Sequence, residues 1–158
     1  MGEQVFKILT YDDIRREIQR ALIDVIEQSQ TTENSGIAWG LRVSDGMVVI
    51  PVEIIGNVGG MEARAECLRR CDEQSQILCA WFHASCYVLS RQNQGCGGAI
   101  FAGHYVLSVF GLSEIENETV CLLVAVRLGW ITKKRATAMA KINDEKHPNG
   151  NIEFLKYD

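Results

Sequence analysis

Apolar residues recur at helical spacing near the start of the chain and alternate with other residues further along. The first pattern predicts a helix over Tyr11–Ser29, because its apolar positions share one face at 3.6 residues per turn. Thr10 and Asp13 have the spacing of a capping box at the start of this helix. Alternating apolar residues over Gly36–Val43 and Met47–Ile55 then predict two strands.

The two predicted strands are separated by Ser44-Asp45-Gly46, a sequence that is typical of a hairpin turn. Pro51 lies inside the second strand and cannot donate a hydrogen bond to a neighbouring strand. We therefore expect this strand to lie at an edge of the sheet or to be bulged at Pro51.

Residues that favour a helix follow from Met61 to about Arg91. The apolar stripes at the two ends of this segment are separated by the polar stretch Asp72–Gln76. That interruption predicts either a bend or two separate helices.

A second hairpin is predicted by the short apolar runs Ala99–Ala102 and Tyr105–Phe110, which flank Gly103-His104. The segment Glu114–Trp130 then has the pattern of a helix, and Lys133–Lys141 is compatible with another. We expect a turn at 147–150 and either a short strand or an extended tail at 151–157.

Ser113 and Glu116 have the capping-box spacing that marks the start of the helix after this hairpin. The element order is thus helix, hairpin, helices, hairpin and helix. It is typical of an α+β fold in which helices pack on an antiparallel sheet of four or five strands. Profilin-like and PAS-like domains have helices that connect one hairpin to the next in this way.

Size and charge narrow the possible classes of protein. The chain has 158 residues, of which 47% are apolar, and this is the length of one domain. The formal net charge of −4 argues against a general nucleic-acid or membrane-surface binder, because both need a positive surface. Every apolar segment is shorter than the roughly 20 residues that cross a bilayer. Residues 1–4 lack the form of a signal peptide, so we expect a cytoplasmic protein with six reduced cysteines.

Four features, taken in order, resemble the GlcG/HbpS-like family, which includes the C-terminal domain of PduO-type corrinoid adenosyltransferases. They are Leu9-Thr10, the Asp45-Gly46 turn, the helical segment Glu62–Glu66, and Gly97–Ile100 followed by strand, turn and the segment Val106–Ser113. The resemblance implies a profilin-like domain at residues 8–130, followed by a C-terminal helical extension and tail at 131–158. It also implies self-association into a dimer or larger homo-oligomer and, for some members, a heme cofactor.

Six residues are candidate ligand contacts, and each also has a structural explanation: Trp39, Arg64, Trp81, Gly97, Gly98 and His104. The tryptophans could line an apolar pocket or fill the core. The glycines could present backbone N–H groups to an anion or serve turn geometry. Arg64 could meet a carboxylate or a heme propionate, or it could face solvent. His104 could ligate heme iron or be a solvated turn residue.

Metal-binding and catalytic patterns are weak in this sequence. Cys67 and Cys71 share a helix face, as do His83 and Cys86, but a structural zinc site needs two close pairs and a C-x-x-C motif is absent. Packing is the simpler explanation of these cysteines. No nucleophile elbow, phosphate-binding loop or dinucleotide fingerprint occurs, so enzymatic activity stays an open question.

Two functions are compatible with these patterns. The first is a small-ligand-binding domain that holds heme or another small hydrophobic ligand in an apolar pocket. The second is a homo-oligomeric interaction module without a small ligand, assembled through the edges of its sheet.

Overall fold

A computed structural model of the chain describes residues 9–28, 35–81 and 98–144. Four helices and four strands follow one another in these ranges: α1 (Tyr11–Gln28), β1 (Ile37–Val43), β2 (Val48–Ile55), α2 (Met61–Trp81), β3 (Ala99–Ala102), β4 (Tyr105–Phe110), α3 (Glu114–Arg127) and α4 (Lys133–Asp144). The strands form an antiparallel sheet in the order β2-β1-β4-β3. The predicted α+β fold, an antiparallel sheet with helices packed on it, is confirmed.

Two hairpins build the sheet, and their inner strands join them. Gly46, with φ +104°, lies in the turn between β1 and β2, and Gly103, with φ +63°, lies in the turn between β3 and β4. The pairing of β1 with β4 places Trp39 opposite Val109 at the centre of the sheet. The strand that contains Pro51 is an edge strand, as the sequence predicts.

Helices cover both faces of the sheet because its strands alternate apolar side chains between the two faces. On one face, Trp39 and Leu107 belong to the main core together with residues of α1, α3 and α4. On the other face, Ala38 and Val106 pack in smaller clusters with residues of α2. In the described ranges, α1, α3 and α4 thus lie on one face of the sheet and α2 lies on the other.

Buried polar groups tie α2 to the middle of the sheet. The Ser108 hydroxyl on β4 donates to the backbone carbonyl of Cys71 at 2.7 Å and accepts from Nε2 of Gln74 at 3.1 Å. The same Nε2 of Gln74 donates to the carbonyl of Val109 at 3.1 Å. The helix α2 runs without interruption through Asp72–Gln76, so the alternative of two separate helices is wrong, and the alternative of a bend stays a prediction.

The ends of α3 follow local signals. At its start, the Ser113 hydroxyl oxygen accepts from the backbone N–H of Glu116, and the Glu116 carboxylate accepts from the backbone N–H of Ser113, which confirms the predicted capping box. The helix ends at Arg127, three residues earlier than predicted, since Gly129 adopts a φ of +75°. No helix in the described ranges is long and apolar enough to span a bilayer.

The helix α4 lies in the segment that the sequence assigns to a C-terminal extension. Its Ala136, Met139 and Ala140 are buried in the main core. The division of the chain at residue 130 into a domain and an extension stays a prediction. The predicted continuation of α2 to Arg91, the turn at 147–150 and the strand or tail at 151–157 lie outside the described residues.

Gly98 and Gly46 form a matched pair for testing how tightly the chain packs in front of β3. Both have positive φ, at +125° and +104°. A Cβ at Gly98 would lie 2.2 Å from the carbonyl oxygen of Val109, whereas a Cβ at Gly46 would meet nothing within 4 Å. We expect Gly98→Ala to lower the free energy of unfolding by roughly 3 kcal/mol or more, and Gly46→Ala by about 1 kcal/mol. Urea denaturation followed by circular dichroism measures both values, and equal losses would contradict the role of the close contact.

Candidate functional site

The candidate residues from the sequence are distributed over different parts of the fold. Trp39 and Gly98 are buried, and Arg64 and His104 are exposed. Gly97 and the side chain of Trp81 lie outside the described part of the structure. The surroundings of the four described residues account for each of them, and their contact with a ligand stays a prediction.

Trp39 belongs to the main core on the face of the sheet that α1 covers. Its Nε1 donates to Oε1 of Glu53 at 3.0 Å, and its ring stacks on Tyr11 with the ring centroids 6.2 Å apart. The Tyr11 hydroxyl donates to the same carboxylate, and this hydrogen bond raises the pKa of Tyr11. These contacts support the core-filling explanation of Trp39.

Gly98 stands immediately before β3, where three elements meet. Its carbonyl accepts from the backbone N–H of Val109 at 2.7 Å and from the thiol of Cys121 at 3.3 Å. An added Cβ would lie 2.8 Å from Cβ of Asn117 on α3. These contacts support the geometric explanation of Gly98, because a side chain there would force β4 and α3 away from the strand.

Arg64 lies on the solvent-exposed side of α2, which also carries a network of ion pairs. Nη2 of Arg69 and Nε of Arg70 approach Glu66 at 2.8 and 2.9 Å. Hydrogen bonds from these two guanidinium groups hold the pKa of Glu66 at about 2. The pattern agrees with a solvated helix face, where such pairs contribute little to stability.

His104 occupies the turn between β3 and β4 and exposes its side chain. Its backbone carbonyl accepts from the N–H of Ser44 at 2.8 Å, and this hydrogen bond joins the turns of the two hairpins. The structural role of this residue therefore resides in its backbone. A role of its imidazole in heme ligation stays a prediction.

The four cysteines of the described ranges, Cys67, Cys71, Cys79 and Cys121, carry free thiols. Cys71 and Cys121 are completely buried, and the thiol of Cys71 donates to the carbonyl of Ser108 at 3.4 Å. Burial raises the pKa of Cys71 to about 12 and the pKa of Cys121 well above its usual value. The described residues contain no group of three or more side chains that could hold a metal ion.

A cavity of about 250 Å³ lies between the β1–β2 hairpin and the middle of α2. Its wall is mostly apolar, and three polar side chains stand together at one side. Val48, Pro51 and Val52 are among the apolar lining residues, and the polar group consists of Arg42, Asp72 and Ser75.

Irregular pairing of β2 with β1 coincides with the position of this cavity. Between the pairs Trp39–Glu53 and Leu41–Ile50, and again before the pair Arg42–Val48, β2 contains one residue more than β1. Such bulges bend a strand and redirect its side chains. Gly40 permits β1 and β2 to lie close together beside the bulges, since a Cβ at Gly40 would lie 2.9 Å from Cγ2 of Val52.

Arg42 is the central polar group of the cavity. Its Nε donates to the Ser75 hydroxyl at 3.0 Å, its Nη1 to the carbonyl of Gly46 at 2.7 Å, and its Nη2 to Oδ1 of Asp72 at 2.8 Å. The other oxygen of Asp72 accepts from Nε2 of Gln76 at 2.8 Å. The guanidinium is thereby held in one orientation by the hairpin turn and by α2.

The sequence analysis missed this site, although two signals for it were present. Alternation along β1 assigns Ile37, Trp39 and Leu41 to the main core, so it assigns Arg42 to the opposite face. The polar stretch in the middle of α2, which contains Asp72 and Ser75, marks where the helix would meet a polar partner. The sequence does not show that these two regions border one cavity, because the cavity depends on the bulged pairing of β2 with β1, which local patterns do not reveal.

Comparisons with known proteins show similarity at the level of fold alone. The chain matches no protein-family model and no curated protein sequence. Among solved structures, the crystal structure of the Ybr137w protein is similar over 77% of this chain and 79% of that one, with a TM-score of 0.51 and 11% sequence identity. The resemblance to the GlcG/HbpS-like family stays a prediction.

Chemical modification of the cysteines can test whether the thiols of Cys71 and Cys121 are buried as described. The thiolate is the reactive form of cysteine, and burial disfavours it at Cys71 and Cys121. We expect iodoacetamide at pH 8 to leave both residues unmodified in the folded protein and to modify both in denaturant. Tandem mass spectrometry of tryptic peptides would report this, since it locates the modified residue within the peptide that contains both Cys71 and Cys79. Cys79, which is partly exposed, serves as the internal reference. Native-state modification of Cys71 as fast as that of Cys79 would contradict the described packing.

Proposed function

We propose that this protein binds a small, mainly apolar ligand in the cavity between the β1–β2 hairpin and α2. The main support for this proposal is the guanidinium of Arg42 at the border of the cavity, where the Arg42 side chain is 15% exposed. Three of its five N–H groups donate to the protein, which leaves one N–H on each terminal nitrogen without a partner in the described chain. A cation placed in this way can anchor the polar group of a ligand.

The volume and the lining of the cavity limit the ligand. At about 250 Å³, the cavity lies below the range of roughly 300–1,000 Å³ that is usual for drug-sized ligands. Among the described residues that line it, none is His, Cys, Met or Tyr, the side chains that ligate heme iron. The proposal therefore keeps the small-ligand function that the GlcG/HbpS-like resemblance implies, but its ligand is smaller than heme.

The bulges of β2 support this assignment on independent grounds. Bulges are common beside functional sites, where they redirect side chains at the cost of regular pairing. Here two of them occur within one strand, on the stretch between Val48 and Glu53 that borders the cavity. Pro51 and the edge position of β2 also favour bulges, so the bulges support the assignment through their place beside the cavity.

Two substitutions on β2 test the proposal directly. Val48 and Val49 are neighbours and equally exposed at 46%, but only Val48 lines the cavity. We expect a mixed library of neutral, acidic, basic and zwitterionic fragments to yield ligands that shift the backbone amide NMR signals of residues 40–52. Val48→Trp should abolish these shifts by filling the mouth of the cavity, and Val49→Trp should preserve them.

The comparison of Val48→Trp with Val49→Trp also shows which results would contradict the proposal. Both variants are expected to keep the native spectrum elsewhere, because both side chains reach solvent. Equal ligand binding by the two variants would place the binding outside the cavity. A library that moves none of the hairpin signals in the unmodified protein would overturn the proposal.

Self-association through β2 is a second candidate function, and the surface of this edge strand favours it. Met47 is 64% exposed, and Val48 and Val49 follow it at the start of the strand. An edge strand also offers backbone groups to another chain, although Pro51 and the bulges limit how far such pairing could extend. A second copy would therefore cover apolar side chains at the hairpin end of β2.

Sedimentation velocity over a wide range of protein concentration tests this second function. We expect the unmodified protein to form dimers or larger species and Val49→Lys to shift it to the monomer, because a charge at this position would lose its hydration in the interface. Ile23→Lys, at a position that is also exposed but lies on α1, is the matched control and should not change the oligomeric state. A monomer at every concentration would refute self-association.

A further inference from the structure

Resting on the proposed small-ligand function, we infer that the cavity is a site for a zwitterion, specifically a small α-amino acid with an apolar side chain. Its carboxylate accepts from Arg42, its ammonium donates to Asp72, and its side chain lies against the valines and proline of β2. The inference depends on the charge balance of the cavity, on its spare hydrogen-bonding capacity and on its walls.

The charges that line the cavity cancel. Within the described ranges, Arg42 is the one cation that lines the cavity and Asp72 the one anion, with Nη2 and Oδ1 separated by 2.8 Å. The Arg42 side chain is 15% exposed and that of Asp72 is 42% exposed, so the pair stands at the transition from interior to solvent. A ligand with a single charge would leave one charge uncompensated in this half-buried place, which is unfavourable. A zwitterion adds one charge of each sign and keeps the balance.

Both members of the pair can take another partner without releasing each other. Arg42 keeps one N–H on each terminal nitrogen, and either can donate to a carboxylate oxygen. Each oxygen of Asp72 accepts one hydrogen bond, from Arg42 or from Gln76, and has a second lone pair. Because an α-amino acid carries both of its charged groups on one carbon, it can reach both members of a pair this close together.

The remaining wall suits an aliphatic side chain. Val52 lines the cavity on the face of β2 that α2 covers, and Val48 and Pro51 border it at the exposed edge strand. Leu41 and Ile50 also line the cavity, although both belong to the main core on the other face of the sheet. Burying one aliphatic side chain against such a wall contributes about 1.5–3 kcal/mol. The volume leaves room for a small ligand alone.

The Arg42–Asp72 pair also holds the hairpin against α2, so the test must separate recognition from structure. Asp72→Asn keeps an oxygen that can accept from Arg42 but removes the negative charge. Glu73→Gln is its matched control: it is the same kind of change at the next position, where the carboxylate pairs with Arg69 on the exposed side of the helix. Thermal denaturation of both variants reports any purely structural loss.

The experiment is an amide NMR titration with three probes of nearly equal shape. L-leucine carries both charges, 4-methylpentanoate carries the carboxylate alone, and 3-methylbutylamine carries the ammonium alone. We expect L-leucine to shift the signals of residues 40–52 and 72–75 and to bind roughly tenfold or more tightly than either analogue, since each charge-assisted hydrogen bond favours the ligand that makes both. In Asp72→Asn, L-leucine should lose its advantage over 4-methylpentanoate, and in Glu73→Gln it should keep it.

The outcomes separate this inference from the proposed function. If all three probes bind equally and Val48→Trp abolishes their binding, the small-ligand function stands and the zwitterion inference is overturned. If L-leucine binds best but Asp72→Asn leaves its advantage unchanged, the assigned role of Asp72 is overturned. If no probe moves the hairpin signals, the inference fails, and the fragment library alone decides the proposed function.

Discussion

The hydrogen bond from the Ser108 hydroxyl to the backbone carbonyl of Cys71 sets the distance between α2 and the sheet. Ser108 is completely buried on a central strand, so its hydroxyl needs a partner, and a helix that moved away would leave it without one. Gln74 adds two further bonds to the same strand. A helix interior normally satisfies only its own backbone, and here one of its carbonyls also accepts from the sheet.

The cavity follows from this constraint. The middle of α2 is held close to β4, while β2, two strands away, bends out of register at its bulges. The cavity lies between α2 and this edge strand where Arg42 projects from β1, and the guanidinium reaches across to Asp72 and Ser75. The polar residues of α2 thus have two tasks: Gln74 meets the centre of the sheet, and Asp72 and Ser75 meet the side chain that borders the gap.

The sequence predicted those features whose cause is local. The capping pair of Ser113 and Glu116, the turn at Gly46 and the position of β2 at an edge all depend on residues within a few positions of one another, and all are confirmed. The division of α2 into two helices was wrong, and some of its polar residues, such as Gln74, have partners that are distant in sequence. The cavity could not be predicted for the same reason: Arg42 and Asp72 are 30 positions apart, and bulges decide whether they meet.

The pairing of β1 with β4 makes the two hairpins depend on each other for stability. Each hairpin closes through a short turn, but a two-stranded hairpin is at best marginally stable by itself in water. The sheet is completed by a pairing that brings Trp39 beside Val109, across a stretch of chain that includes all of α2. The core on one face and the polar contacts on the other both require this pairing. Neither half of the described chain therefore contains a complete folding unit, and stability belongs to the two hairpins jointly.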